Sequence, residues 1–177
     1  QEIADDFMDY AAQHHIDFRV DCDKALPDEL YADRSIVEKI TMNLLNNAFK
    51  YTREHGSIFV EVKCGKDFHS EYKNSYTVGE TNDEVFSIIV RDTGVGISGE
   101  SISSVFERFY KVNTVNQDSH LGTGIGLALV KSLVLLHKGS ITIYSERERG
   151  TDFIVSLPAD SSLFSESDFV KCKDTAA

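Results

Sequence analysis

Two glycine-rich segments, each beside an apolar run, constrain the fold of this chain more than any other feature. Asp92–Ile97 (DTGVGI) directly follows the apolar segment 85–91, and Gly122–Leu127 (GTGIGL) opens the apolar segment 124–137. The first apolar segment predicts a buried strand, and the second predicts a helix that ends before Gly139. Because one glycine cluster follows a strand and the other feeds a helix, strands and helices are expected to mix within one domain.

Hydrophobic periodicity elsewhere in the chain supplies the remaining elements. It predicts helices over 1–15 and from Asp33, the expected N-cap, to about Tyr51, and strands over 16–20, 57–63, 140–145 and 151–157. The last two strands are expected to form a hairpin. Residues 65–84 are polar without a period and predict a loop or flexible hairpin, 98–121 predict a long mobile loop with one helical turn at most, and 160–177 predict a loose tail. The expected architecture is a two-layer α/β sandwich, in which a mixed sheet of about five strands is covered on one face by about three helices.

The charge distribution limits the possible partners. The 177 residues carry a formal net charge of -11, which argues against a nucleic-acid-binding module. Residues 1–35 hold ten acids and three bases, whereas residues 101–131 have a net charge of +1. Any anionic ligand is therefore expected to bind near the second segment.

Cysteine spacing, hydropathy and the first residue indicate the environment in which the chain works. The three cysteines are far apart and form no CxxC pair, so neither a disulfide framework nor a zinc site is expected, and a reducing compartment fits best. No apolar run reaches the length of a membrane span, and no signal peptide is evident. Because the chain begins at Gln1, we expect it to be part of a longer protein.

The predicted second helix carries a polar strip beside its apolar stripe. Asn43, Asn47 and Lys50 lie at i, i+4 and i+7 and fall on one side of the helix. Asparagine is a poor helix former, so two stacked asparagines call for a reason. An amide oxygen suits Mg²⁺ and an amide nitrogen suits phosphate, although a polar helix edge bonded to a loop explains the same spacing.

Three further segments each allow a functional and a structural interpretation. A carboxylate at a strand end, as at Asp92, can accept from an exocyclic amine, or the segment is a simple turn. The Gly122–Leu127 segment at a helix start is an anion site or a point of close packing. In the segment 105–111, Arg108 and Lys111 can reach a phosphate, or its aromatic residues form a small core under a loop.

Taken in order, these four segments closely resemble the catalytic ATP-binding domain of two-component sensor histidine kinases, of the GHKL group with the Bergerat fold. Asn43–Thr52 resembles the N box, Asp92–Ile97 the first glycine box, Phe106–Lys111 the F box and Gly122–Leu127 the second glycine box. The resemblance runs from about Ile16 to Pro158. It implies a catalytic domain over 1–159 with an ATP lid over about 98–121.

The resemblance also implies roles for single residues. Asn43 would bind Mg²⁺, Asn47 and Lys50 would contact phosphates, and Arg108 or Lys111 would reach the γ-phosphate of ATP. The residues implied to form the base pocket are Tyr51, Asp92, Gly94, Gly96 and Thr151. Gly122, Gly124 and Gly126 are implied to hinge the lid and cradle phosphate, and Thr123 and Leu127 to bind the nucleotide beside them.

Two departures from the family pattern bear on the chemistry. Where hydrolysing relatives carry a water-activating Glu one turn before the first Asn, this chain has Lys39, with Glu38 turned away. None of the six histidines has the sequence context of a phosphoacceptor. The resemblance therefore implies a donor domain that phosphorylates a histidine on a separate dimerisation domain, and a fragment that does not autophosphorylate.

The implied setting is a two-component system. The partners would be the protein's own dimerisation domain, absent from this chain, and a response regulator. The parent would be a homodimeric membrane-anchored bacterial sensor with this domain in the cytoplasm, and the fragment itself would be monomeric. The alternatives are another GHKL ATPase, an anti-sigma serine kinase, or a non-enzymatic interaction module.

Overall fold

The computed structural model describes residues 2–27, 30, 32–111 and 123–159, with the backbone alone for 2–4. The elements in chain order are α1 (Glu2–Gln13), β1 (Asp17–Cys22), α2 (Arg34–Tyr51), β2 (Ser57–Cys64), β3 (Asn74–Val78), β4 (Val85–Asp92), a 3₁₀ turn (Ser104–Phe106), α3 (Gly126–Leu136), β5 (Ser140–Glu146) and β6 (Gly150–Pro158). Three predictions fall outside the described residues: the tail 160–177, the lid segment 112–121, and Gly122.

The strands form one mixed sheet in the order β1-β2-β4-β6-β5-β3. Only β1 and β2 pair in parallel, and the other four pairings are antiparallel, including the predicted β5–β6 hairpin. Alternate residues of the central strands point toward the helices and form the core, as Val90 and Val155 do with no exposed surface. The two-layer sandwich is confirmed, but the sheet has six strands rather than the expected five.

The additional strand is β3, which lies inside the segment predicted as a loop. Asn74–Val78 pairs antiparallel with β5, with Tyr76 opposite Ile143, at the edge of the sheet. The sequence gives little sign of it because the segment is polar and its residues alternate only between half-buried and exposed. The segment therefore forms a strand mainly because its backbone pairs with β5, and side-chain hydrophobicity contributes little.

Helix α2 begins where the sequence predicts. The Asp33 carboxylate accepts hydrogen bonds from the backbone N–H groups of Ser35 at 2.8 Å and Ile36 at 3.2 Å, and these bonds satisfy two donors of the first turn. The bond from Ile36 also holds the pKa of Asp33 below its ordinary value. The buried face of the helix consists of Ile40, Leu44, Leu45, Ala48 and Phe49. Burying this stripe against the sheet directs the neighbouring polar strip toward one end of the strands.

Helix α3 ends at Leu136, before Gly139 as predicted. Lys138, and not Gly139, adopts the left-handed conformation, with φ +55. The N–H of Lys138 donates to the carbonyl of Leu135 and the N–H of Gly139 donates to that of Val134, the pattern of a Schellman motif. Glycine is required at position 139 for a steric reason, because a Cβ there would lie 2.6 Å from the backbone oxygen of Ser156.

Among the described residues, no helix combines the length and apolar character needed to cross a lipid bilayer.

Candidate functional site

A cavity of about 270 Å³ opens where the C-terminal end of β4 meets α2 and the start of α3. It is formed by both glycine segments, by the polar strip of α2, and by residues of the loop between β4 and α3. The lining residues are Asn46, Asn47, Lys50, Tyr51, Asp92, Val95, Gly96, Ile97, Val105, Tyr110, Lys111, Thr123, Gly124, Gly126, Leu127, Thr151 and Phe153.

Asp92 lines this cavity and is almost fully buried, with 6% of its surface exposed. Its Oδ1 accepts a hydrogen bond of 2.9 Å from the N–H of Gly94, and its carboxylate also accepts from the backbone of Thr151. Burial raises the pKa of Asp92 to about 7, against the lowering effect of these two bonds. When ionised, the carboxylate can accept a hydrogen bond from a ligand that enters the cavity.

Backbone contacts hold the first glycine segment in place. The N–H of Val95 donates to the carbonyl of Tyr51 at 3.2 Å, and the N–H of Glu148 donates to the carbonyl of Val95 at 2.7 Å. Gly96 has φ +61, and a Cβ there would collide with the carbonyl oxygen of Glu146. The fold therefore requires glycine at this position, where the loop passes against the β5–β6 turn.

The polar strip of α2 also lines the cavity. Lys50 places its Nζ 3.0 Å from the hydroxyl of Tyr51 and 4.7 Å from the centre of that ring. Asn47 and Asn46 line the cavity on the same helix. This side therefore presents one ammonium and two amides.

Asn43 lies one turn before Asn47 and is turned so that its oxygen is available. Its Nδ2 donates to the carbonyl of Lys39 at 2.7 Å. Its Oδ1 would lie 2.9 Å from a Cβ placed on Gly126, so the oxygen points at the start of α3. An amide oxygen held in this way is a suitable hard ligand for Mg²⁺.

The geometry therefore fits Mg²⁺ bound by one protein oxygen together with ligand oxygens. No group of three or more His, Cys, Asp or Glu side chains that could hold a metal occurs within the described parts of the chain. An ion at Asn43 would consequently depend on a polyphosphate for most of its ligands, which is common for Mg²⁺.

The second glycine segment packs against the aromatic segment. Gly124 has φ +68, and a Cβ there would lie 2.9 Å from the Cα of Phe109, whose N–H donates to the carbonyl of Gly124 at 2.9 Å. Helix α3 then begins at Gly126 without a side-chain cap and without an acidic residue in its first turn. Its first N–H groups can therefore receive an anion.

The structure brings most of the predicted residues to this one cavity. Arg108 is exposed and does not line it, whereas Lys111 does. Gly94 is buried behind Asp92 and contributes its N–H, and Asn43 lies beside the lining residues. Sequence reasoning missed six lining residues: Asn46, Val95, Ile97, Val105, Tyr110 and Phe153.

Some of the missed residues carried a signal in the sequence. Phe153 follows Thr151 by two positions on one strand, so the two share a face. Asn46 is a third amide, one position before Asn47 and beside the predicted strip. Val105 gives no such sign, because its place in the cavity depends on how the long loop folds back.

Comparison with known proteins agrees with this arrangement. The model of the histidine kinase-, DNA gyrase B- and HSP90-like ATPase family matches residues 32–161. The chain is 31% identical over 173 residues to Histidine kinase P4 of Formosa agariphila and 32% identical over 158 residues to the sensor histidine kinase CusS of Escherichia coli K12. The fold matches that of full-length ShkA in complex with AMPPNP with a TM-score of 0.67 at 24% identity, over 89% of this chain and 28% of that chain. The chain therefore belongs to the histidine kinase-, DNA gyrase B- and HSP90-like ATPase family, and the resemblance seen in its motifs is confirmed.

The alignments cover 96% of this chain for P4 and 89% for CusS, but the chain spans only 11% and 28% of the length of these relatives. The match thus characterises an ATP-binding domain within much longer proteins.

Proposed function

We propose that this chain is the catalytic domain of a sensor histidine kinase, which binds Mg·ATP and donates the γ-phosphate to a histidine on a separate dimerisation domain. The observation that carries the proposal is the polarity of the cavity. Its lining combines a buried acceptor, Asp92, which marks the expected base end, with Lys50, Lys111 and the first turn of α3. ATP has the matching polarity, with an amine donor on the base and negative charge on the triphosphate.

The acceptor and the cations of the cavity have distinct tasks. The Asp92 carboxylate would accept from the 6-amino group of adenine, while Ile97 and Phe153 provide apolar surface for the ring. Lys50 and Asn47 would hold the phosphates, and bound Mg²⁺, held by Asn43, would neutralise phosphate charge. Positioning and charge neutralisation supply most of the catalysis in phosphoryl transfer.

The composition of the site favours transfer to another domain over hydrolysis. Among the described residues that line the cavity, Asp92 is the only carboxylate, and it lies at the base end. Lys39 is exposed, and the carboxylate of Glu38 pairs with Arg34 at 2.6 Å. The described residues thus place no general base beside the expected γ-phosphate, which agrees with a kinase that must avoid wasting ATP on water.

The partners and location remain part of the proposal. P4 and CusS are named as histidine kinases, and CusS as a sensor. We propose that the parent protein adds a dimerisation domain and acts on a response regulator. The domain would work in the cytoplasm, where ATP is supplied.

Calorimetric titration of the 177-residue chain with AMPPNP, with and without Mg²⁺, tests the nucleotide site. We expect one molecule bound per chain and tighter binding with Mg²⁺, and absence of binding would refute the proposal. Adding a dimerisation domain with labelled ATP should then place acid-labile label on that domain alone. Label on this chain, or steady ATP hydrolysis without the added domain, would favour a different activity.

A further inference from the structure

Ser145 lies behind the base end of the cavity and belongs to a row of polar residues that crosses three strands. Asp92 on β4 is paired in register with Thr151 on β6, and Thr151 is paired with Ser145 on β5. All three residues are buried, and Ser145 has no exposed surface. The row therefore begins in the cavity at Asp92 and ends inside the protein at Ser145.

The hydroxyl of Ser145 has three partners. It accepts from the N–H of Ile97 at 2.8 Å, donates to the carbonyl of Gly150 at 2.7 Å, and lies 3.0 Å from Thr151 Oγ1. A hydroxyl has one hydrogen and two acceptor positions. Because a carbonyl can only accept, the hydrogen of Ser145 is used on Gly150.

This assignment fixes the direction of the remaining bond. With its hydrogen used, Ser145 can only accept from Thr151, so the Thr151 hydroxyl donates inward. Thr151 lines the cavity, and toward a ligand there its hydroxyl oxygen is left with acceptor capacity only. Its neighbour Asp92 also accepts when ionised. The base end therefore presents two acceptors side by side.

We infer that Ser145 is a specificity-determining positioning residue, which locks the Thr151 hydroxyl as an acceptor so that the pocket selects a 6-amino purine over a 6-oxo purine. The inference rests on the proposed function. An amino group supplies hydrogens to acceptors, whereas a 6-oxo group offers lone pairs to them and leaves buried groups unpaired. Sites built on such hydrogen bonds discriminate strongly, because the wrong ligand leaves those groups without partners.

Ser145 also fixes the wall of the pocket. Its bond to Ile97 holds the end of the first glycine segment, and its bond to Gly150 holds the β5–β6 turn. Gly150 is confined on both sides, because a Cβ there would collide with the carbonyl oxygen of Asp92 and lie 2.6 Å from the Tyr72 hydroxyl. One side chain thus fixes both the loop and the turn beside the base.

The test compares ADP and GDP binding to the full chain by calorimetry. In Ser145→Ala the Thr151 hydroxyl is free to rotate and donate into the cavity. We expect ADP affinity to fall about tenfold and GDP affinity to fall less, so that the preference for ADP shrinks. Ser156→Ala is the matched control, because Ser156 is also buried and bonds to Ser87 Oγ at 2.9 Å on the other face of the sheet. That variant should keep the ADP preference of the unmodified chain.

Variants at Thr151 test the same inference if Ser145→Ala does not fold. Thr151→Val keeps the shape and removes the hydroxyl, and Thr151→Ser keeps the hydroxyl. We expect the valine variant to lose ADP preference and the serine variant to retain it. Because Ser145 acts through Thr151, adding Ser145→Ala to Thr151→Val should lower the preference no further.

The outcomes separate this inference from the proposed function. If the unmodified chain binds neither nucleotide, the proposed function fails. If it prefers ADP and that preference survives both Ser145→Ala and Thr151→Val, the inference fails while the proposed function stands. A proportional loss of both affinities in Ser145→Ala would show a merely structural role and would also overturn it.

Discussion

Replacing Asp92 with asparagine is expected to stabilise the domain at neutral pH while removing nucleotide binding. Burial raises the pKa of Asp92 from 3.8 to about 7 in the folded chain. Between these values the folded state holds a proton that the unfolded state has lost, so the stability contributed by this group falls as the pH rises. The loss amounts to about 4 kcal/mol, because each unit of pKa difference corresponds to 1.36 kcal/mol.

The asparagine side chain of this variant would carry no such penalty, since its amide does not ionise. The amide keeps an oxygen for the N–H of Gly94, but its NH₂ group cannot accept from the backbone of Thr151 as the second oxygen of Asp92 does, at a cost of about 2 kcal/mol. The Asp92→Asn variant should therefore be less stable than the unmodified chain near pH 4. Above about pH 7 it should be more stable, by about 2 kcal/mol.

Urea titrations at a series of pH values measure this difference. Far-UV circular dichroism is the suitable signal, because the chain contains no tryptophan. Asp152→Asn is the control: Asp152 is also buried with a raised pKa, but it bonds to Ser70 on the opposite face of the sheet. Both variants should show a pH-dependent gain in stability, and only Asp92→Asn should lose nucleotide affinity in calorimetry.

Two results would refute this reasoning separately. A stability difference between Asp92→Asn and the unmodified chain that stays constant from about pH 4 to about pH 8 would show that Asp92 is not a buried acid with a raised pKa. Unchanged nucleotide affinity in Asp92→Asn would remove Asp92 from base recognition whatever its pKa.

Three further predictions follow from local geometry. Lys138→Gly should raise the free energy of unfolding by about 1 kcal/mol in urea titration, because it relieves the left-handed conformation, and an unchanged midpoint would contradict this. Gly96→Ala should cost about 3 kcal/mol and most of the nucleotide affinity, whereas Gly65→Ala, with a positive φ but open space around it, should cost about 1 kcal/mol and no affinity. Lys111→Gln should weaken AMPPNP binding about fivefold at low salt and less at high salt, and should leave adenosine binding unchanged in calorimetry. Equal losses for both ligands would argue that Lys111 holds the loop rather than the phosphates.

Local patterns were sufficient for much of the fold. Helix α2 was predicted from the Asp33 cap and an apolar stripe, and both features act within a few residues of each other. The β5–β6 hairpin was predicted from two alternating runs beside Gly150. Strand β3 was missed because its pairing with β5 joins residues about 70 positions apart, and its own side chains show little preference for either face.

The site shows the same division between local and distant causes. Asp92 and Gly96 lie within one short motif, so their roles could be predicted from neighbouring residues in the sequence. The link from Ser145 to Ile97 spans 48 positions, and no periodicity in either segment indicates it. Tertiary hydrogen bonds of this kind depend on strand order, which the sequence analysis did not specify.

The acidic character of the chain does not conflict with binding a polyanion, because the cavity is also lined by lysines. The carboxylate of Asp92 lies at the base end, where burial holds its pKa near neutrality and a neutral amine is the expected partner. Lys50 and Lys111 lie in the part of the cavity reached by α2 and the loop before α3. A general base among these cations could activate water, but the described residues that line the cavity provide none there. Under the proposed function the phosphate acceptor lies on a separate domain, and a lining with cations but no general base beside them favours transfer to that acceptor over hydrolysis.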